Sequence, residues 1–413
     1  MEIEHQCPQC GAPVILEEAD RLFTCSFCRV KLYLSPKDYF RYYFLPAEPS
    51  GKEIIFAPYW RFRGMLFSCK TNAIEQRVLD TSFLASNYKF LPPSLGLRAQ
   101  ALKLRVATFK EGTKFLRPSL SSRDFLSKVE KNELFEDSNE IEDVTFHNAC
   151  IGEVVSLIYS PIFIQHNTIF DAILNRPIAT QVGERGDGDL SFEDKQNWGI
   201  RFLSTLCPNC GWDLIAEKES CVLICSNCNS LWEASGETLQ RIEFGVISEK
   251  DGKDDVAYLP FWRMKVKVGG IRLQSYADLV RFANLPKVIK TEWEGLDIYF
   301  WSPAFKVSPA LFLRLAQQLT ISQPDKIPDM NLPKSSMYPI TLPVSEAKES
   351  LKITLANIAT KKKDIFPKLN EIKIELTESL LIFLPFFSTN NEFIQPQLRC
   401  SIQKNALKIG KNI

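Results

Sequence analysis

Cys7-Pro8-Gln9-Cys10-Gly11 is followed, after fourteen further residues from Cys10, by Cys25-Ser26-Phe27-Cys28. The arrangement returns two hundred residues later as Cys207-Pro208-Asn209-Cys210-Gly211 and Cys225-Ser226-Asn227-Cys228, with the same gap. A C-x-x-C turn delivers two thiolates from one tight knuckle, and a tetrahedral zinc needs four of them at about 2.3 Å. Two knuckles joined by a short hairpin complete such a site, so each quartet predicts a four-cysteine zinc ribbon. Gly11 and Gly211, after the second cysteine, suit a left-handed backbone, and Asn229 tolerates the same conformation in the last knuckle. Arg29, at the equivalent place in the first ribbon, fits that conformation less well.

The predicted metal ligands are therefore Cys7, Cys10, Cys25 and Cys28, and Cys207, Cys210, Cys225 and Cys228, holding two structural Zn2+ ions. Rubredoxin-like iron and thiol–disulfide exchange are the competing readings. Redox motifs normally occur as one C-x-x-C at a helix start, whereas these pairs recur in matched sets. Neither quartet includes a histidine or leaves an open coordination position, which argues against catalytic zinc. Cys221 has no counterpart in the first ribbon, where Arg21 stands, and reads as a small buried hydrophobe. Cys69, Cys150 and Cys400 are isolated and read as packing residues.

The resemblance between halves extends beyond the cysteines. Ala57-Pro58-Tyr59-Trp60-Arg61-Phe62 matches Leu259-Pro260-Phe261-Trp262-Arg263-Met264. Pro93-Ser94-Leu95-Gly96-Leu97 matches Pro303-Ala304-Phe305-Lys306-Val307, and Ile158 to Phe163 matches Ile382 to Phe387. The order is kept while the offset grows, as loop insertions produce, and a tandem duplication is the natural reading. Tyr59 to Phe67 and Phe261 to Val268 read as strands, with the preceding prolines suited to a strand start or an edge. Ser308-Pro309 opens a predicted helix to Leu319, with Arg98 to Val106 as its shorter partner. Ser345 is expected to cap a helix to Ala359, matched by Ser121 to Phe135. Ile372, Ile374 and Leu376 alternate and lead into the last predicted strand.

The fold class predicted is α+β, a tandem duplication in which each half is a four-cysteine zinc ribbon plus a small β-sheet domain with helices. Its boundaries are ribbon 1 at 1–36, an α+β domain at 37–182, a glycine-rich linker at 183–199, ribbon 2 at 200–236 and a second α+β domain at 237–413. Lys250 to Asp255 reads as a polar hairpin tip, and proline-rich Pro324 to Pro343 as an extended connection.

These segments resemble a loose class of bacterial zinc-ribbon proteins in which C-P-x-C-G ribbons precede a β-rich region with a Y-x-P-F-W-type strand. The matching residues are Cys7–Cys28, Cys207–Cys228, Pro58–Trp60 and Tyr258–Trp262. Some members bear names implying a primosomal helicase, but this sequence has no G-x-x-x-x-G-K-[ST] segment. Others resemble accessory subunits of membrane-associated assemblies and carry membrane spans. Here the most apolar stretches, Val154–Ile164 and Leu380–Phe387, are too short to cross a bilayer.

Lys plus Arg (50) nearly cancel Asp plus Glu (49), for a net charge of +1, so the basic excess of a dedicated nucleic-acid binder is missing. The N-terminus lacks a secretory pattern, and a cytoplasmic chain is expected. Three scattered histidines, His5, His147 and His166, suggest no catalytic site, and the enzyme question leans towards no. Arg61, Arg63, Lys265 and Lys267 alternate with apolar residues and, with Tyr59, offer a face for bases and phosphates. The plainer reading puts Trp60 and Phe62 in the core and leaves those cations solvated. The function expected is a non-catalytic scaffold or protein-interaction subunit of an intracellular assembly. Nucleic-acid binding is the alternative, and an enzyme the third reading.

Overall fold

The computed structural model describes residues 2–36, 38–47, 51–71, 73–96, 102–108, 113–130, 144–180, 190–193, 198, 200–248, 255–324 and 328–410. The first half holds β1 (Glu2–Gln6), β2 (Pro13–Glu17), β3 (Leu22–Thr24), β4 (Lys31–Ser35), β5 (Phe40–Phe44), β6 (Ile55–Lys70) and β7 (Ile74–Leu84). It continues with β8 (Leu104–Val106), β9 (Lys114–Phe115), helix α1 (Ser122–Glu130), β10 (Thr145–Gln165), β11 (Thr168–Asp171) and β12 (Arg176–Thr180). The second half opens with β13 (Arg201–Ser204), β14 (Val222–Cys225), β15 (Ser230–Ser235), β16 (Thr238–Ile242), β17 (Phe244–Val246) and β18 (Val256–Gly269). There follow α2 (Tyr276–Phe282), β19 (Tyr299–Pro303), α3 (Pro309–Ser322), α4 (Val344–Glu349), α5 (Leu351–Ile358) and α6 (Lys362–Ile365). Then come β20 (Lys373–Ser388), β21 (Glu392–Gln395), β22 (Cys400–Gln403) and α7 (Lys404–Gly410).

Each half is built on a long antiparallel pair, β6 with β10 and β18 with β20. Both pairs are rich in aromatic and branched residues, which fit a pleated surface buried on both faces. A short strand runs parallel beside each returning strand, β5 on β10 and β17 on β20. A third strand closes the other side, β7 on β6 and β19 on β18. Hairpins β11–β12 and β21–β22 extend β10 and β20. The buried tryptophans are held alike: Trp60 Nε1 donates to the Leu120 carbonyl at 2.7 Å, and Trp262 Nε1 to the Leu342 carbonyl at 2.9 Å.

The halves share a core. The far end of the β6–β10 pair, including Met65, Phe67, Cys69, Ala149 and Ile151, packs in one apolar cluster with Phe312, Leu351 and Ile353 of the second half. Phe67 meets Phe312 at a ring distance of 6.0 Å, and the Gly152 amide donates to Glu346 Oε2 at 3.1 Å. Gly152 sits at φ 123° beside a register shift in β10, where a side chain would be strained. Within the predicted linker, Gly183, Gly186 and Gly188 lie outside the described residues. The Arg117 amide donates to the Ser191 carbonyl and the Glu193 amide to the Phe115 carbonyl, and Trp198 is buried.

Several local expectations are corrected. Arg98 to Val106 does not form a helix at its end: Leu104–Val106 is strand β8, hydrogen-bonded between β5 and β1. The predicted Ser345 helix is two helices whose first cap is Pro343, with the break at Ser350, whose hydroxyl donates to the Ala347 carbonyl at 2.6 Å. Pro58 and Pro260 lie inside β6 and β18 rather than at their starts. Each sits where the flanking strand ends. Its carbonyl accepts from the amide just past that end, Ala85 at 2.9 Å and Ala304 at 3.1 Å. The missing proline N–H is thus tolerated because that point of the strand is locally an edge. β20 is not the last strand, since β21 and β22 follow. Lys250 to Asp254, and 131–135 of the predicted Ser121–Phe135 helix, lie outside the described residues. The proline-rich run contributes bridges at Asp329 and Met337 and buries Ile340 and Leu342 against the second core.

Candidate metal centres

The first knuckle of each quartet closes by the same backbone hydrogen bonds. The Gly11 amide donates to the Cys7 carbonyl and the Gly211 amide to the Cys207 carbonyl, both at 2.8 Å. The Cys7 and Cys207 amides donate in turn to the Ala12 and Trp212 carbonyls, again at 2.8 Å. Gly11, Gly211, Asn229 and Arg29 all adopt positive φ, at 74°, 73°, 49° and 60°. Arg29 is therefore the one knuckle residue forced into a conformation that its Cβ disfavours.

These turns bring Cys7, Cys10, Cys25 and Cys28 into one cluster and Cys207, Cys210, Cys225 and Cys228 into another, with all Sγ atoms of each within 4.8 Å. The Sγ–Sγ separations are 3.7 Å for Cys7–Cys28 and Cys10–Cys25, 3.6 Å for Cys207–Cys228 and 3.5 Å for Cys210–Cys225. A tetrahedron of sulfurs about 2.3 Å from a metal has edges of about 3.8 Å, while a disulfide would need about 2.05 Å. The clusters have the dimensions of metal sites, and their cysteines are free thiols. No other group of three or more His, Cys, Asp or Glu side chains converges this way among the described residues.

The surroundings of the two clusters differ. In the second, the Ser230 hydroxyl lies 3.0 Å from Cys228 Sγ and 3.8 Å from Cys207 Sγ, and Trp232 Nε1 donates to that hydroxyl at 2.8 Å. Asn209 and Ser230 hold the Cys228 thiol down at about 6. Asn227 Nδ2 donates to Cys210 Sγ at 3.5 Å. In the first cluster Val30 and Leu32 occupy the positions of Ser230 and Trp232. There the backbone amides of Cys28 and Phe27 hold the Cys25 thiol down at about 6. Donors of either kind favour the thiolate that a metal requires.

Each cluster also joins two different sheets. Cys7 and Cys10 follow β1, which with β2 belongs to the ten-stranded sheet through β8. Cys25 and Cys28 lie between β3 and β4, in a three-stranded sheet completed by β13 of the second half. Cys207 and Cys210 follow β13, while Cys225 ends β14 and Cys228 lies in the turn to β15, in a further three-stranded sheet. The ribbons pack on each other through Tyr33, Leu214, Leu223 and Trp232, and the Arg21 and Leu22 amides donate to the Lys218 carbonyl.

Other singled-out residues fall elsewhere. Cys221 is outside the second cluster, its amide and thiol on the Ile340 carbonyl. Cys69, Cys150 and Cys400 are buried, and burial pushes the Cys69 thiol up to about 12. His5 stacks on Phe202, His147 lies in β10, and His166 is in the β10–β11 turn. Arg61 is not a solvated cation: it is 2% exposed and ion-paired, and Tyr59 beside it is buried.

No protein-family profile matches the chain, and neither a search of curated proteins nor one of solved structures finds a match. The expected class of zinc-ribbon proteins therefore rests on the two four-cysteine clusters alone.

Proposed function

We propose that the chain is a non-catalytic, zinc-stapled protein-interaction subunit of an intracellular assembly, formed by tandem duplication of a ribbon-plus-sheet unit. The recurrence of sheet pairings, tryptophan hydrogen bonds and cysteine quartets supports the duplication. The tetrahedral spacing of the thiols supports two Zn2+ ions in structural sites, held by Cys7, Cys10, Cys25 and Cys28 and by Cys207, Cys210, Cys225 and Cys228. We keep the domain boundaries read from the sequence, 1–36, 37–182, 183–199, 200–236 and 237–413, with the long β6–β10 pair reaching into the second half.

The observation that carries the interaction reading is where large apolar side chains face solvent. Phe27 (67% exposed) and Trp212 (58% exposed) stand on the knuckles, Ile15 is exposed on β2, and Leu206 and Ile215 are exposed in the second ribbon. Leu206 and Ile215 are pinned by isolated bridges to Asp213 and Ile224 of the second ribbon. Exposed aromatic and branched side chains on both metal-stapled ribbons are contact chemistry. The same region argues against a phosphate backbone as partner, because residues 2–35 and 201–242 together carry six Lys or Arg against ten Asp or Glu.

The test is affinity purification of the tagged chain from native lysate, with and without nuclease, beside the Leu206→Ser/Trp212→Ser/Ile215→Ser variant. The reading expects stoichiometric protein partners that survive nuclease and are lost in the variant, with metal content unchanged. Partners lost to nuclease but kept by the variant would replace it with the nucleic-acid reading.

A further inference from the structure

Glu18 lies in the turn between β2 and β3 of the first ribbon, yet it is only 3% exposed. Its Oε2 meets Arg61 Nη1 at 2.8 Å, and its Oε1 accepts from the Ser156 hydroxyl at 3.2 Å. Arg61 is in β6, and its Nε and Nη2 engage Asp80 of β7 at 3.0 Å each. One carboxylate of the ribbon is thus plugged into the middle of the ten-stranded sheet, touching β6 and β10 at once. A buried arginine deprived of one partner keeps its desolvation cost without the compensating charge, so the sheet depends on that turn staying in place.

The metal cluster spans the same turn. The hairpins β1–β2 and β3–β4 belong to different sheets, and the polypeptide connects them through residues 18–21. The four thiols, two from each side, form a second tie between them. The second ribbon differs at the equivalent positions. Lys218 stands where Glu18 does, and Arg263, the counterpart of Arg61, stacks on Tyr299 at 4.8 Å.

We propose that metal at the Cys7/Cys10/Cys25/Cys28 site is energetically coupled to the ten-stranded sheet through the Glu18–Arg61–Asp80 contact, making the first ribbon a metal-responsive clasp. At the second site Lys218 and the Arg263–Tyr299 stacking stand in the places of that contact. The inference rests on the reading that both clusters hold metal. Coupling of this kind is reciprocal: metal at the first site steadies the Glu18 turn, and the Glu18 contact tightens that site by the same factor.

The experiment uses the full-length chain, with metal counted by native mass spectrometry and the sheet followed by amide hydrogen exchange in β6 and β10. Cys10→Ser is expected to leave one metal and to speed exchange around Arg61 and Ser156 at least about tenfold. Cys210→Ser is expected to leave one metal and those amides protected. Glu18→Gln should keep two metals while transferring the first to a chelating dye about tenfold more readily, with the second unchanged. The Glu18→Met/Arg61→Met pair, apolar on both sides, should protect β6 again and remove the effect of Cys10→Ser. A wild-type chain without metal would overturn the underlying reading. Two metals in the wild type, with β6 indifferent to Cys10→Ser and unchanged metal release in Glu18→Gln, would overturn the coupling alone.

Discussion

Single residues decide how each ribbon closes. Arg29 holds φ 60° where the other three knuckles use glycine or asparagine, a cost of order 1 kcal/mol for a side chain with a Cβ. Arg29→Gly is expected to stabilise the first ribbon by about 1 kcal/mol, read as slower metal loss to a chelator, and Gly211→Ala to weaken the second by a similar amount. The Ser230 hydroxyl between two thiols predicts that Ser230→Ala lowers metal affinity at the second site by roughly 10-fold, measured by competition, and leaves the first alone. His147 gives a pH dependence. Burial, with Lys352 nearby, lowers its pKa to about 4, so the folded chain keeps it neutral while the unfolded chain takes up a proton from about 6.5 downward. This group therefore withdraws stability as pH falls from about 6.5 to about 4. His147→Gln should flatten the melting temperature over that window relative to the wild type. The eight thiols and the strain at Arg29 are legible in the sequence because a knuckle is a local structure with fixed spacing. The roles of Ser230 and Glu18 are not, because they depend on neighbours that only folding supplies.

At the scale of elements, the strands around Trp60 and Trp262 are readable from aromatic and branched composition, since both faces of the β6–β10 and β18–β20 pairs are buried there. Each indole N–H is bound to a carbonyl from a distant loop, Leu120 or Leu342. Trp262→Phe is expected to cost roughly 2–4 kcal/mol in denaturant unfolding, through lost volume and an orphaned buried carbonyl, with Trp60→Phe comparable. The segment ending at Val106 reads as helical only as the counterpart of the Ser308 helix, whereas the edges of β5 and β1 claim Leu104–Val106 as a strand. Pro58 and Pro260 mark an edge, as their chemistry requires, but not a strand start. The edge they need is produced by the end of a neighbouring strand, which no local pattern reports.

For the whole molecule, repetition along the chain suggests two lobes, and the structure joins them more closely than that pattern implies. The β6–β10 pair ends inside the second core, and the ribbons share an apolar cluster and a strand pairing between β4 and β13. Sequence identity between landmarks carries no information about such contacts, because they arise where the halves differ. The two four-cysteine clusters lie in series between three sheets, so metal held there would bear on the whole chain rather than on two isolated modules. The most direct test is the metal content of the purified full-length chain, with unfolding followed as metal is withdrawn by a chelator. Two zinc ions per chain, falling to one in either Cys25→Ser or Cys225→Ser and with ribbon structure lost on chelation, is the predicted result. A chain that purifies without metal and keeps both ribbons folded would contradict the account.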